Sequence, residues 1–298
     1  LFELHALTRN SRVPFFSLLA GASLWGLAWW PMRILRDLGL SGAWLTLLSC
    51  AAAALLLLPW ALRQRQHWRP HHVALLVILL CGGFANFAYN AAMIVGNPLR
   101  VMMLFYLAPI WALLGAQVFL GERIDAARLA AVGVAVAGAI LILGGPQLLR
   151  SPPALVDLLA ISAGLTYAMN NLAYRSVESV PVMSKNVIML AGATLLALPW
   201  LLLFAEPSRP TGGAWWAGVA FGVLWLIPAV GLTQYGVAHM SAGRAAVLLT
   251  LELPIAAATG ALFGGVDLTS MEWLGGLLIL VAAVIDSRVH GSAAAEMH

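Results

Sequence analysis

Charge is scarce in this chain: Asp, Glu, Lys and Arg make up 9% of its 298 residues, against about 25% in soluble domains. Lys185 is the one lysine, and no glycine-rich loop precedes it, so no phosphate-binding loop and no ATPase motif is present. Both cysteines, Cys50 and Cys81, lie inside apolar runs, which argues against a disulfide framework or a cysteine zinc site. His-Glu-x-x-His, EF-hand and Gly-x-Ser-x-Gly patterns are missing. Ser241 and His239 are neighbours, but two positions apart they do not share a helical face. No enzyme, metal or cofactor is expected. The net charge of +4 is spread over short loops, so nucleic acid is not an expected partner either.

Apolar residues are abundant, at 62% of the chain, with mean hydropathy +0.91. A membrane span needs about 20 mostly apolar residues. Ten such runs are present, at 14–35, 41–62, 72–95, 98–120, 125–145, 154–176, 182–205, 212–238, 243–264 and 271–289. Gly, Pro and charged residues punctuate the short breaks between them, which leave no room for a folded soluble domain. No cleavable signal peptide is expected, since the first run is long and many follow it. Position 1 is Leu; the first seven or so residues and the Gly291–His298 tail are read as added sequence. The expected organisation is a tail at 1–13, a first unit at 14–145, a linker at 146–153, a second unit at 154–289 and a tail at 290–298. With ten spans the sixteen basic residues divide eleven to five, with the larger share on the side of the N-terminus. The positive-inside rule then puts both termini in the cytoplasm of a cell with this protein in its plasma membrane.

The two units echo each other. Shifted by 145 positions, Leu249 falls on Leu104, Pro254 on Pro109, Ile255 on Ile110, Ala257 on Ala112, Gly260 on Gly115 and Ala261 on Ala116. Trp25-Gly26 in span one corresponds to Tyr167-Ala168 in span six. Each unit has five spans, an odd number, so the two must enter the membrane in opposite directions. The fold class predicted is an all-α integral membrane protein of ten transmembrane helices, built as two inverted five-helix repeats. In such proteins the site lies near the midplane between the repeats.

Tyr106-Leu-Ala-Pro-Ile110, followed by Phe119-Leu-Gly-Glu-Arg-Ile124, resembles the end of the fourth span and the following loop of the drug/metabolite transporter superfamily, EamA-type. The second copy departs from that pattern, with Gly265-Val-Asp267 where Gly-Glu is usual. Within the superfamily the chain looks most like the aromatic amino-acid exporters of the YddG type. That resemblance implies export of aromatic, and other neutral, amino acids across a bacterial inner membrane by alternating access, as a monomer or homodimer with no ATPase domain in this chain.

Polar side chains in a span are costly unless they face protein or a water-filled cavity. Asn86, Tyr89 and Asn90 share one face of span three, and Thr166, Tyr167, Asn170, Asn171 and Tyr174 recur at helical spacing in span six. Span eight carries Gln234, span four Tyr106, and span one Trp25 and Trp29 a turn apart. The functional reading is a cavity lined by spans one, three, four, six, eight and nine. Amides there would solvate the charged end of an amino-acid zwitterion, and rings would cover its side chain. The competing reading makes the amides glue between helices. Glycines in spans five and ten (Gly133, Gly138, Gly275, Gly276) read as close-packing faces, and Gly121–Arg128 as a solvated loop.

Glu252 lies mid-span, where insertion scales put an acid at roughly +2.5 to +3.5 kcal/mol. It is either a site for an ammonium or a coupling proton, or a protonated acid bonded to a neighbouring helix. Pro109 and Pro254 should kink their helices and, in the functional reading, act as hinges. A proton-coupled drug exporter using Glu252 is the alternative function, and a non-transporting scaffold a minor one. Glu252→Gln separates the first two. It should abolish proton-coupled efflux of a cationic dye from proteoliposomes if the exporter of cations is right, and leave zwitterion movement largely intact if the amino-acid exporter is right.

Overall fold

The structure, a computed structural model, describes residues 12–40, 42–96, 98–122, 124–145, 152–203, 212–265 and 267–295. The two expected tails and the connections at 146–153 and 206–213 lie wholly or partly outside these residues. The described chain is helical, with ten segments in sequence order. The first half comprises α1 (Arg12–Leu27, then Trp29–Asp37), α2 (Gly42–Arg63), α3 (His72–Val77 and Gly83–Val95, joined by a π-type turn at Ile78–Gly82), α4 (Pro98–Phe105 and Ala108–Leu120) and α5 (Ala126–Ile142). The second comprises α6 (Leu155–Ser176), α7 (Val182–Leu203), α8 (Ala214–Ala220 and Ile227–Ala238, joined by a π-type turn at Phe221–Leu226), α9 (Ala242–Leu249 and Glu252–Gly264) and α10 (Ser270–Ala295).

Seven of these are long and apolar enough to cross a membrane. α5 and α10 are apolar over shorter stretches, Ala126–Ile142 and Ser270–Ile285. α6 is long enough and continuous, but it carries the adjacent Asn170 and Asn171, so the polar face singled out in the sequence is also what lowers its hydropathy. Large apolar side chains point outward: Phe263 is 80% exposed, Leu202 77%, Trp216 76% and Phe119 69%. The interior is rich in alanine, and one buried cluster draws residues from all ten helices, among them Leu18, Cys50, Ile78, Tyr106, Ala139, Tyr174, Met189, Val230, Leu248 and Ile279. Small residues inside and large ones outside is the arrangement of a bundle whose solvent is hydrocarbon, where close backbone approach drives association.

The duplication is visible in the backbone. α4 and α9 are each interrupted one turn ahead of a proline, at Tyr106-Leu107 and at Thr250-Leu251. Both then end on a left-handed glycine, Gly121 with φ 66° and Gly265 with φ 67°, a conformation that a Cβ disfavours. α3 and α8 each carry a π-type turn at an equivalent place. The packing follows the same exchange. α1 packs on α8 and α9 of the other half, and α6 packs on α3 and α4; α2 pairs with α7, and α5 with α10. The halves therefore interleave, with each one's first helix lodged in the other. The Ser17 hydroxyl of α1, for instance, donates to the Leu232 carbonyl of α8 at 2.9 Å, across 215 positions of sequence.

Glycine sets the crossings. A Cβ on Gly138 of α5 would lie 2.6 Å from the Gly275 carbonyl oxygen of α10, as expected of a close-packing face. Gly133 is different: nothing lies within 4 Å of its Cβ position. On α7, a Cβ on Gly192 would collide with the Leu79 carbonyl of α3. Gly192→Leu should therefore lower stability by about 1–3 kcal/mol or more through overpacking, whereas Gly133→Ala should be neutral or raise it by up to about 1 kcal/mol. Thermal unfolding in detergent micelles checks both.

Candidate functional site

The two interruptions face each other. Pro109 has no N–H for the Phe105 carbonyl four residues back. That carbonyl abuts Gly164 of α6, where a Cβ would come within 2.6 Å of it. On the other side, Gly26 of α1 meets the Glu252 carbonyl, with a Cβ position 2.7 Å away. Each broken helix is thus covered by the first helix of the opposite half, at a glycine that allows the approach. Across the gap the Tyr106 hydroxyl donates a hydrogen bond to Glu252 Oε1. The half-buried acid has a partner, and it is the residue at the matching break 146 positions earlier.

Around this bond lies a ring cluster. Phe105 stacks on Tyr89 of α3 at a centroid distance of 4.8 Å, on Tyr106 edge-on at 5.7 Å and on Tyr167 of α6 at 5.4 Å. Offset and edge-on geometries suit the ring quadrupoles. The Tyr167 hydroxyl reaches the side chain of Asn171 one turn on, where a row of amides begins. Asn171 Oδ1 accepts from Asn170 Nδ2 at 3.3 Å and from Gln234 Nε2 of α8 at 3.3 Å. Asn170 Nδ2 also points at the Met189 sulfur of α7, 3.7 Å away. Asn170 and Gln234 are 0% and 3% exposed. Among the described residues, Asn170 Oδ1 and Gln234 Oε1 have no hydrogen-bond partner.

The structure therefore joins Tyr89, Tyr106, Tyr167, Asn170, Asn171, Gln234 and Glu252 into one seam running between the halves. Trp25 borders it, its Nε1 donating to Thr233 Oγ1 of α8 at 3.2 Å, next to Gln234. Trp29 lies a turn away and donates to Thr259 of α9 at 3.0 Å. Two residues are turned elsewhere. Asn86 donates back to the Gly82 carbonyl in the π-type turn of its own helix, at 3.1 Å. Asn90 donates to Thr46 of α2 at 2.7 Å and borders a separate, narrow crevice bounded by Thr46, Phe87, Ala197 and Trp200. Pro109 and Pro254 both follow the interruptions. Phe105 is the member of the seam that sequence reasoning missed, because a phenylalanine in a span carries no sign of whether it faces lipid or protein.

Ion pairs close both ends of the seam between α4 and α6. At one end Arg100 makes a two-point bridge to Asp157, Nε to Oδ1 at 2.7 Å and the second nitrogen to Oδ2 at 2.6 Å, with side chains 13% and 8% exposed. At the other end Glu122 holds Arg175 of α6 through Oε1 and Arg128 of α5 through Oε2 at 3.4 Å. This corrects the expectation of a solvated loop over Gly121–Arg128. Asp125 is solvated and caps α5 by accepting from the Arg128 N–H at 2.6 Å. Glu122 and Arg128 instead turn inward, drawn by the arginine at the end of the neighbouring half's first helix. Lys185 is also buried, its ammonium donating to the Tyr174 and Val177 carbonyls at the end of α6 at 2.7 and 3.1 Å.

A duplicated ten-helix bundle with broken helices meeting at a polar and aromatic seam defines a membrane transporter of the inverted-repeat kind. The EamA-like transporter family matches residues 13–144 and again 154–287. The chain belongs to that family, and is a multi-pass membrane protein. A riboflavin transporter of Rhizobium johnstonii is 28% identical over 230 residues, which cover 76% of this chain and 72% of that one. A crystal structure superposes with TM-score 0.72 at 21% identity, covering 94% of this chain and 97% of the other; at that identity the likeness speaks for the fold alone.

The Arg100–Asp157 bridge lends itself to a stability test. Asp157→Leu takes the counter-charge from the half-buried Arg100 guanidinium and should cost about 1–3 kcal/mol. Arg100→Leu with Asp157→Leu should recover most of that loss. Chemical or thermal unfolding in micelles reads both, and equal destabilisation of the single and double variants would show that the charge pairing is not what matters.

Proposed function

We propose that this transporter moves a small solute with an aromatic ring and no net charge, with aromatic amino acids as its substrates and export from the bacterial cytoplasm as its direction. The observation that carries the reading is the cluster of Tyr89, Phe105, Tyr106 and Tyr167 joined to the amides of Asn170, Asn171 and Gln234. Rings hold an apolar side chain at modest conformational cost; amides satisfy polar groups without demanding a net charge. The half-helices that begin at Ala108 and Glu252 start at this seam, so their partial positive ends offer a carboxylate a partner. Glu252 is engaged by Tyr106. In this reading it latches the two breaks together, and the prolines behind them let the half-helices swing as one side of the seam closes and the other opens. The ion pairs at the two ends of α4 and α6 keep that pair of helices together during the movement. The protein sits in the inner membrane with both termini in the cytoplasm, as the basic residues divide.

A flavin is the second reading, favoured by the relative named a riboflavin transporter. A planar ring system with amide-like edges would suit the same rings and amides. Proteoliposomes decide between the two. Labelled tryptophan and phenylalanine, and riboflavin followed by its own fluorescence, are offered to vesicles with and without the protein, and with and without a pH gradient. Tryptophan and phenylalanine should exchange across protein-containing vesicles only. Movement of riboflavin with neither amino acid moved would replace the first reading by the second, and movement of none of them would remove both.

A further inference from the structure

The duplication lets each contact in one half be compared with its counterpart in the other, and at one place the two differ. The second piece of α4 (Ala108–Leu120) is held by α6 out to its end. A Cβ on Gly115 would collide with the Leu172 side chain, and Glu122 just beyond pairs with Arg175. The counterparts are the second piece of α9 (Glu252–Gly264) and the outer piece of α1 (Trp29–Asp37), with Gly260 for Gly115, Trp30 for Leu172, Asp267 for Glu122 and Arg33 for Arg175. These two helices start together: Gly26 meets Glu252 and Ile255, and Trp29 bonds to Thr259 at 3.0 Å. Beyond that bond they part. Among the described residues nothing lies within 4 Å of a Cβ on Gly260. Trp30 is 62% exposed where Leu172 is 6%, and Ala261 is half-buried where Ala116 is buried. Arg33 and Asp267 are both exposed. Neither makes an ion pair among the described residues, although Arg36, one turn on from Arg33, reaches Asp37 at 3.7 Å.

The outer piece of α1 is also jointed where α6 is not. Pro31 has no N–H for the Leu27 carbonyl, and α1 is interrupted at Ala28; α6 runs unbroken from Leu155 to Ser176. We propose that Trp29–Asp37 is a lid at the far end of α1, which closes on α9 by seating Trp30 against Gly260 and pairing Arg33 with Asp267. Leu172 and Arg175 already stand in that relation to Gly115 and Glu122 at the other end, so the structure described here is closed on one side of the seam and open on the other. The inference rests on the reading of this protein as a transporter that opens one side at a time, and it names the residues that shut the open side. Covering Trp30 removes apolar surface from its surroundings, and the ion pair sets the register of the closed lid. An exposed ion pair is weak, so the lid reopens.

The test uses the full chain in proteoliposomes. With Cys50→Ala and Cys81→Ala as background, Arg33→Cys combined with Asp267→Cys should be joined within one chain by a short bismaleimide, read by mass spectrometry. Arg33→Asp and Asp267→Arg each set like charges together when made alone, and each should slow tryptophan exchange by about threefold or more. The two combined reverse the pair and should restore the rate, which a residue that merely sits at the membrane interface would not do. Gly260→Trp should leave thermal unfolding unchanged, because its space is open, and abolish exchange by holding the lid off. Absence of the cross-link, single charge reversals without effect, a double reversal no better than the singles, or full exchange by Gly260→Trp would overturn the proposal. The cross-link does not depend on the substrate, so the two readings fail separately. A cross-link with no movement of tryptophan would sink the amino-acid reading and leave the lid standing; tryptophan movement with no cross-link would do the reverse.

Discussion

A helix interrupted inside a bilayer must find partners for its freed backbone groups in protein, because lipid offers none. That constraint organises this molecule. Both interruptions, in α4 and α9, are placed where the first helix of the opposite half can lie against them, and in both cases a glycine on that helix, Gly164 or Gly26, brings the backbones together. The interleaving of the halves is what sets each break against protein.

The seam is a by-product of that arrangement turned to use. Side chains at the breaks, Tyr106 and Glu252, bond to each other, and the helices that cover the breaks contribute the neighbouring rings and amides. α6 gives Tyr167, Asn170 and Asn171; α8, which packs on α1, gives Gln234. Polar groups can gather at membrane depth here because both walls are protein. The partly buried pairs at the ends, Arg100 with Asp157 and Glu122 with Arg175 and Arg128, fix α4 to α6.

Much of this was readable in the residues. Spacing of apolar runs gave ten spans, and the Pro-Ile-x-Ala-x-x-Gly-Ala coincidence between Pro109 and Pro254 gave the duplication, because proline and glycine constrain backbone in ways that leucine and alanine do not. Other features carry no local signal. The partner of Glu252 lies 146 positions away, and nothing near Tyr106 announces it. The π-type turns in α3 and α8 contain no residue type that demands them. Glu122, Arg128 and Arg175 look like ordinary loop charges one by one; they turn inward because the fold sets opposite signs beside each other. Asn86 and Asn90 share a face with Tyr89 by periodicity, yet a helix face is wide enough to serve two neighbours, and these two serve their own backbone and α2.

The lodging of α1 among α8 and α9 has a consequence for biogenesis. The Ser17–Leu232 bond spans 215 positions, and at synthesis rates of about 5–20 residues per second α8 emerges roughly 10–40 s after α1. Through that interval the newborn first helix stands in the bilayer with its small-residue face against lipid or whatever the insertion machinery supplies. The nascent chain is thus committed to a long wait before its first helix can be housed, and the order of assembly is set by the last-made half.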